Sequence, residues 1–172
     1  MNADPTMVLG VNECWDRLRS TSIGCLAVIV GDGADLHPEI FPVNYAVDHA
    51  SVVFRSGEGT KVEAIHDHPQ VAFEVDGFDP ETGTAWSVVV KGTAKPINRT
   101  DELLDTISLD VTPWQGGRKN RFVRIHTGEI TGLAREVEAD HIAQAVALHT
   151  RVTGERPRGF YQGRCSMNTV AL

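Results

Sequence analysis

Residues 24–56 read GCLAVIVGDGADLHPEIFPVNYAVDHASVVFRS, and the order of apolar runs and turns in this stretch decides the fold. Gly24 to Val30 is a short apolar run rich in β-branched residues, as a buried strand requires. GDGAD at 31–35 supplies the glycine and aspartate of a tight hairpin turn, so the next strand returns antiparallel. That strand spans His37 to Val47, where Ile40, Val43, Tyr45 and Val47 mix with polar positions and Pro42 interrupts the ladder. Proline inside a strand marks an edge, a bulge or a rim. Asp48 to Ala50 turns the chain again and Ser51 to Ser56 completes a three-stranded meander.

Outward from this meander, Asn12 is placed to cap a helix through Ser20 that buries Trp15, Leu18 and Cys14 and keeps Asp16, Arg17 and Arg19 outside. Downstream, GEGTK opens a short helix over Lys61 to Asp67, ended by Pro69. Gln70 to Val75 and Ala85 to Ala94 are two further strands around the turn FDPETG. Thr100 caps DELLDTISL, with Leu103, Leu104 and Ile107 on one face, and Arg121 to Gly132 alternates as a strand. Residues 139–149 are expected to be helical, and the rest of 139–172 forms a tail that wraps a partner. About six strands with short helices between them predict a single mainly β (α+β) domain over 1–172, an antiparallel barrel rather than a βαβ sheet.

Composition narrows the function. A chain of 172 residues with 41% hydrophobic and 23% charged residues matches soluble globular domains. The net charge of -7 opposes nucleic-acid binding, which needs a basic face to replace counterions. Cys14, Cys25 and Cys165 form no CxxC pair and fit neither a disulfide framework nor a zinc knuckle, so a reducing cytoplasm is the expected compartment. No basic leader and no apolar run of membrane-spanning length appears.

The strongest chemical signal is VFRSGEGTK at 53–61, a strand that ends in a glycine turn and opens a helix. Gly57 and Gly59 let backbone N–H groups turn toward an anion, and the helix adds its positive end. Arg55, Ser56, Thr60 and Lys61 supply side-chain donors, and Lys61 is one of only four lysines. A phosphate monoester suits such a turn. A nucleotide P-loop is excluded, because Val62 follows Lys61 where that motif needs Ser or Thr.

The ordered set LAVIV, PEIFPVNYAVD, VVFRSGEGTK, HPQVAFEVDG and WSVVVKGTA resembles the pyridoxamine 5′-phosphate oxidase-like family of flavin-nucleotide-binding split barrels. The resemblance implies a six-stranded FMN-binding split β-barrel with short peripheral helices, acting as a homodimer with flavin at the subunit interface. It implies that Arg55, Ser56, Thr60 and Lys61 hold the FMN phosphate. Pro42, Val43 and Asn44 would line the isoalloxazine ring through backbone groups, Trp86 and Ser87 would reach the same ring, and Trp114 would come from the partner chain. A flat apolar slot, a few donors at the pyrimidine edge and an anion site one ribityl chain away are what a flavin needs.

The expected activity is a flavin-dependent oxidoreduction of a small molecule, with no catalytic side chain assigned. Pyridoxamine phosphate fits poorly as substrate. Ile40 and Tyr45 stand where the true oxidases carry basic residues, and residues 150–172 lack their terminal basic motif. A deazaflavin-dependent reductase, or a non-catalytic flavin- or haem-binding module, is the alternative. His66 and His68 point apart on a helix and no HExxH or Cys/His quartet occurs, so no metal site is expected. GxSxG is absent as well, which leaves hydrolase chemistry without a nucleophile.

Overall fold

Apolar side chains directed to one face let the sheet close upon itself around an apolar core, with a smaller separate cluster of Val53, Ile97 and Phe122. The structure, a computed structural model, describes residues 6–57, 59–79, 82–97 and 121–137. In chain order these form β1 (Met7–Val8), α1 (Val11–Arg19), β2 (Ile23–Val30), β3 (His37–Asp48), β4 (Ser51–Ser56), α2 (Thr60–Asp67), β5 (Gln70–Asp79), β6 (Thr84–Pro96) and β7 (Arg121–Glu136). Hydrogen-bonded neighbours run β1-β7-β4-β3-β2-β5-β6, and β6 also pairs with β7. Strands β2 to β7 therefore make a ring of six antiparallel strands, a split β-barrel with two short helices packed on it.

Leu26 and Val28 of β2, Phe54 of β4, Phe73 of β5, Val88 and Val90 of β6, and Val123 and Ile125 of β7 fill the interior. Each such large apolar side chain contributes roughly 1.5–3 kcal/mol when fully buried. Helix α1 plugs one end with Trp15 and Leu18. The Tyr45 hydroxyl donates to the Leu18 carbonyl at 2.6 Å and lies 2.6 Å from the Thr21 hydroxyl, which ties the plug to β3. Burial pushes the Tyr45 phenol up to about 12, even though Thr21 works against the shift.

The ring is incomplete beside β3. β2 pairs β3 from His37 to Asn44, whereas β4 pairs only Tyr45 to Asp48. On the side away from β2, residues 37–44 thus present a backbone edge that no strand covers among the described residues. Pro42 lies in this stretch, the rim position that its missing N–H calls for.

Several boundaries differ from expectation. Helix α1 starts at Val11, with Gly10 as its cap, because the Glu13 carboxylate accepts the Gly10 N–H at 2.7 Å; Asn12 sits inside the first turn. The pair Met7–Val8 adds to β7 as a strand that its length alone does not announce. Cys14 is a free thiol, but Cys25 is disulfide-bonded, which departs from the expected absence of disulfides. The helices expected at 101–109 and 139–149 lie outside the described residues.

Where β3, β4 and β7 meet, Arg124 donates to Asp48 at 2.6 Å and to the Ser51 hydroxyl at 2.7 Å. Burial opposes ionisation of Asp48, but the hydrogen bonds from Arg124 and His49 outweigh it and hold the carboxyl below its ordinary value. A depressed carboxyl stabilises the fold above its unfolded pKa, and that contribution is lost as pH falls through the folded value. Denaturant melts at stepped pH should therefore show stability falling below about pH 4, with the fall shallower in Asp48→Asn. Identical acid limbs for the two proteins would show that this pair carries none of the effect.

Candidate functional site

Strand β4 ends and α2 begins within four residues, and the turn between them depends on glycine. Gly59 has a φ of 131°, a conformation open to glycine and strained for other residues. A Cβ there would meet nothing within 4 Å, so backbone shape rather than crowding demands the glycine and the space beside the turn is open. Gly59 is the cap of α2 and offers no side chain to it, while its carbonyl accepts the N–H groups of Val62 at 2.9 Å and Glu63 at 3.2 Å. Such a helix end attracts anions.

Two cations flank the turn. Arg55, half-buried, holds its guanidinium 5.1 Å from the centre of the Phe122 ring, and the Lys61 ammonium stands 5.0 Å from that of Phe41. Phe41 adjoins Pro42 on the uncovered edge of β3, so Lys61 links the turn to that edge. The ring contacts hold both long side chains in place at small cost in rotamer freedom. Arg121 was not among the expected residues; it starts β7 directly opposite Ser56 and adds a third positive charge beside the turn. Its signal was the basic run RKNR at 118–121 immediately before an alternating strand.

The other two expected phosphate donors are engaged differently. Ser56 is buried and its hydroxyl donates to the Gly57 carbonyl at 3.0 Å. Thr60 lines a neighbouring cleft of about 400 Å³ with Asp32, Asp35, Glu63, Asp67 and His68, an acidic lining unsuited to an anion. Of the four expected phosphate donors, Arg55 and Lys61 are the two whose charged groups stand beside the turn.

The expected ring-lining residues divide by face. Val43 points into the core at 5% exposure, whereas Pro42 and Asn44 alternate to the outer surface, so only the backbone of Val43 can meet a ligand there. Trp86 belongs to the core, with the Arg17 guanidinium of α1 5.3 Å from its ring centre. Ser87, the next residue, faces outward opposite Asp76. Strand alternation thus keeps the side chains of Trp86 and Ser87 from touching one ligand ring. Trp114 lies outside the described residues.

On the same outer surface, burial, with the charge of Asp76 adding to it, pushes the Glu74 carboxyl up to about 7. Burial also raises Asp76, against its own backbone hydrogen bond. No group of three or more His, Cys, Asp or Glu able to hold a metal occurs among the described residues. No helix among them is long and apolar enough to cross a membrane.

Residues 11–151 match the family model described as pyridoxamine 5′-phosphate oxidase. A solved structure from Corynebacterium glutamicum, provisionally assigned as a pyridoxamine 5′-phosphate oxidase, superposes with a TM-score of 0.67 at 35% identity, over 77% of this chain and 100% of that one. The FAD-binding protein of Mycobacterium smegmatis superposes with a TM-score of 0.63 at 30% identity, over 76% of this chain and 99% of that one. Protein Rv3129 of Mycobacterium tuberculosis is 33% identical over 86 residues, which is 50% of this chain and 76% of the relative. The match of the family model across most of the chain, on a ring of six strands split beside its glycine turn, shows that the chain belongs to the pyridoxamine 5′-phosphate oxidase-like family.

Proposed function

We propose that this protein binds FMN, with the phosphate on the Gly57–Gly59 turn and the ring along the uncovered edge of β3, and that it acts as a flavin-dependent oxidoreductase on a small molecule. The observation that carries this reading is the pair of cations, Arg55 and Lys61, placed on aromatic rings either side of a glycine turn beside the stretch of β3 that β4 does not cover. The donor set fits the group: two full charges beside a helix N-terminus for a dianion, and a strand edge that no described strand covers for the polar edge of a ring. A bound flavin supplies the hydride chemistry. The chain's own residues bind and orient it: Lys61 neutralises the phosphate, Pro42 and Asn44 offer an outer surface, and Phe41 shields the lysine from water.

FAD is the second reading, favoured by the 30% identical mycobacterial FAD-binding protein. The absorption spectrum and mass of the ligand that copurifies test both. FMN is the expected mass; FAD would support the second reading, and a Soret band or no ligand uptake from added flavin would overturn both.

We also infer a homodimer. Ile29 and Ile40 are 37% and 52% exposed on the outer face of the β2–β3 hairpin, and Leu36 in its turn is 45% exposed, an apolar patch suited to a second copy of the chain. Light scattering at micromolar concentration should give twice 18.7 kDa; a monomer that still holds flavin would contradict the assembly.

A further inference from the structure

Antiparallel pairing decides which way each backbone group of β3 points. The Tyr45 N–H donates to the Ser22 carbonyl at 3.1 Å, and from there the β2 register runs unbroken from Asn44 opposite Ile23 to His37 opposite Val30. Opposed residues alternate between pairs that exchange both backbone bonds and pairs that exchange none. Val43, Phe41, Glu39 and His37 therefore bond to β2, whereas Pro42, Ile40 and Pro38 turn their backbone groups away from it. β4 takes that side of β3 only from Tyr45 to Asp48, so these three face the edge that no strand covers among the described residues. Two of the three are prolines. Pro38 and Pro42 present carbonyls and no N–H, and Ile40 between them carries both. A strand added here would find donors missing on either side of Ile40, so the edge is poorly suited to a further strand. One donor beside one acceptor is what it offers instead.

The glycine turn lies alongside this pair. Tyr45 is opposite Phe54, so β4 continued in register would set Gly57 opposite Pro42, and it is there that the chain leaves the sheet. Ile40 is two residues, roughly 7 Å, further along β3. Past the turn, the Lys61 ammonium stands 5.0 Å from the ring of Phe41, the residue between Pro42 and Ile40. We propose that the backbone N–H and C=O of Ile40 recognise a lactam group in the ligand ring, an N–H beside a carbonyl, by exchanging two hydrogen bonds with it as a partner strand would. The inference rests on the flavin reading above and deepens it. The pyrimidine half of a flavin carries an imide: its N–H donates to the Ile40 carbonyl, and one of its carbonyls accepts the Ile40 N–H. Pro38 and Pro42 keep the edge from strands and leave this pair to the ligand. The Ile40 side chain takes no part, since it stands on the outer face and is 52% exposed.

Amide hydrogen exchange of the wild-type protein, read residue by residue, tests this. Without flavin the Ile40 N–H should exchange quickly, while those of Phe41 and Val43, bonded to β2, are protected with and without ligand. FMN at about ten times its Kd should slow exchange at Ile40 about tenfold. A second measurement uses FMN methylated at the imide nitrogen, which keeps the phosphate, the ribityl chain and the ring carbonyls but has no N–H to donate. It should bind about 5- to 10-fold more weakly than FMN, as loss of one hydrogen bond implies, and Ile40→Ala should keep that preference because the backbone pair is intact. An Ile40 N–H already protected before flavin is added, an exchange rate unmoved by FMN that does bind, or equal affinities for FMN and its methylated form would overturn the role of Ile40 and leave the flavin reading standing. No uptake of FMN, FAD or riboflavin by the wild type would remove both.

Discussion

Replacing Lys61 by alanine should lower FMN affinity about 10- to 100-fold, or ~1.4–2.8 kcal/mol at about 1.4 kcal/mol per tenfold. The substitution removes one of the two cations anchored beside the turn and leaves the Gly59 backbone unchanged. Stability without ligand should hardly change, since two small terms oppose each other. The contact with Phe41 contributes about 0.5–1 kcal/mol at a partly exposed site, while a lysine in the first turn of α2 is disfavoured by the helix dipole by a few tenths of a kcal/mol or more. Lys91→Ala is the control, because Lys91 pairs with Glu129 far along β7 from the Arg121 end. A general effect of a chain with net charge -7 would weaken anion binding at either lysine alike. Isothermal titration of both variants decides it: equal losses, or no loss at Lys61, would place the phosphate elsewhere.

The second large effect is on the barrel itself. Phe73 is fully buried on β5, meets Tyr45 edge-on at 4.8 Å between ring centres, and fills the volume that Gly24 leaves on β2. A Cβ on Gly24 would come within 2.3 Å of the tip of the Phe73 ring, so these two positions are matched in size. Phe73→Ala should cost about 3–5 kcal/mol, combining lost transfer energy with a cavity that a closed ring of strands cannot collapse. For a chain of this length that corresponds to a drop in Tm of roughly 6–20 °C. Phe73→Leu should cost less than half as much. Calorimetry of the three proteins tests the packing, and a loss below about 1 kcal/mol for Phe73→Ala would mean the interior relaxes there.

How much of this was legible in the sequence varies with the physics involved. Ser51 to Ser56 was read to its true limits, because a β-branched run between a turn and a glycine has one sensible conformation. Pro42 announced a rim, and β3 does run past the end of β4 there. Asn12 misled because a good capping residue was preferred to a glycine, although Glu13 supplies the oxygen that Gly10 lacks. The placement of Trp86 and Ser87 on one ring overlooked the strand period of two, which was available from the sequence. The sequence could not tell that Ser56 would spend its hydroxyl on Gly57, or that Thr60 would border an acidic cleft, since both depend on how the turn folds back. Glu74 was equally hidden. FEVD reads as a half-exposed strand, and the burial that, with the charge of Asp76, raises the Glu74 carboxyl exists only in the folded chain.

The measurement that bears most directly on the central claim is the difference in affinity between FMN and riboflavin for the wild-type protein, determined by calorimetry under one set of conditions. The two ligands share the ring and the ribityl chain and differ in the phosphate alone. If Arg55, Lys61 and the glycine turn hold that phosphate, riboflavin forfeits charge-assisted hydrogen bonds of roughly 1.5–3 kcal/mol each and should bind at least about tenfold more weakly. Equal affinities would contradict the account, because the turn between β4 and α2 would then hold no phosphate.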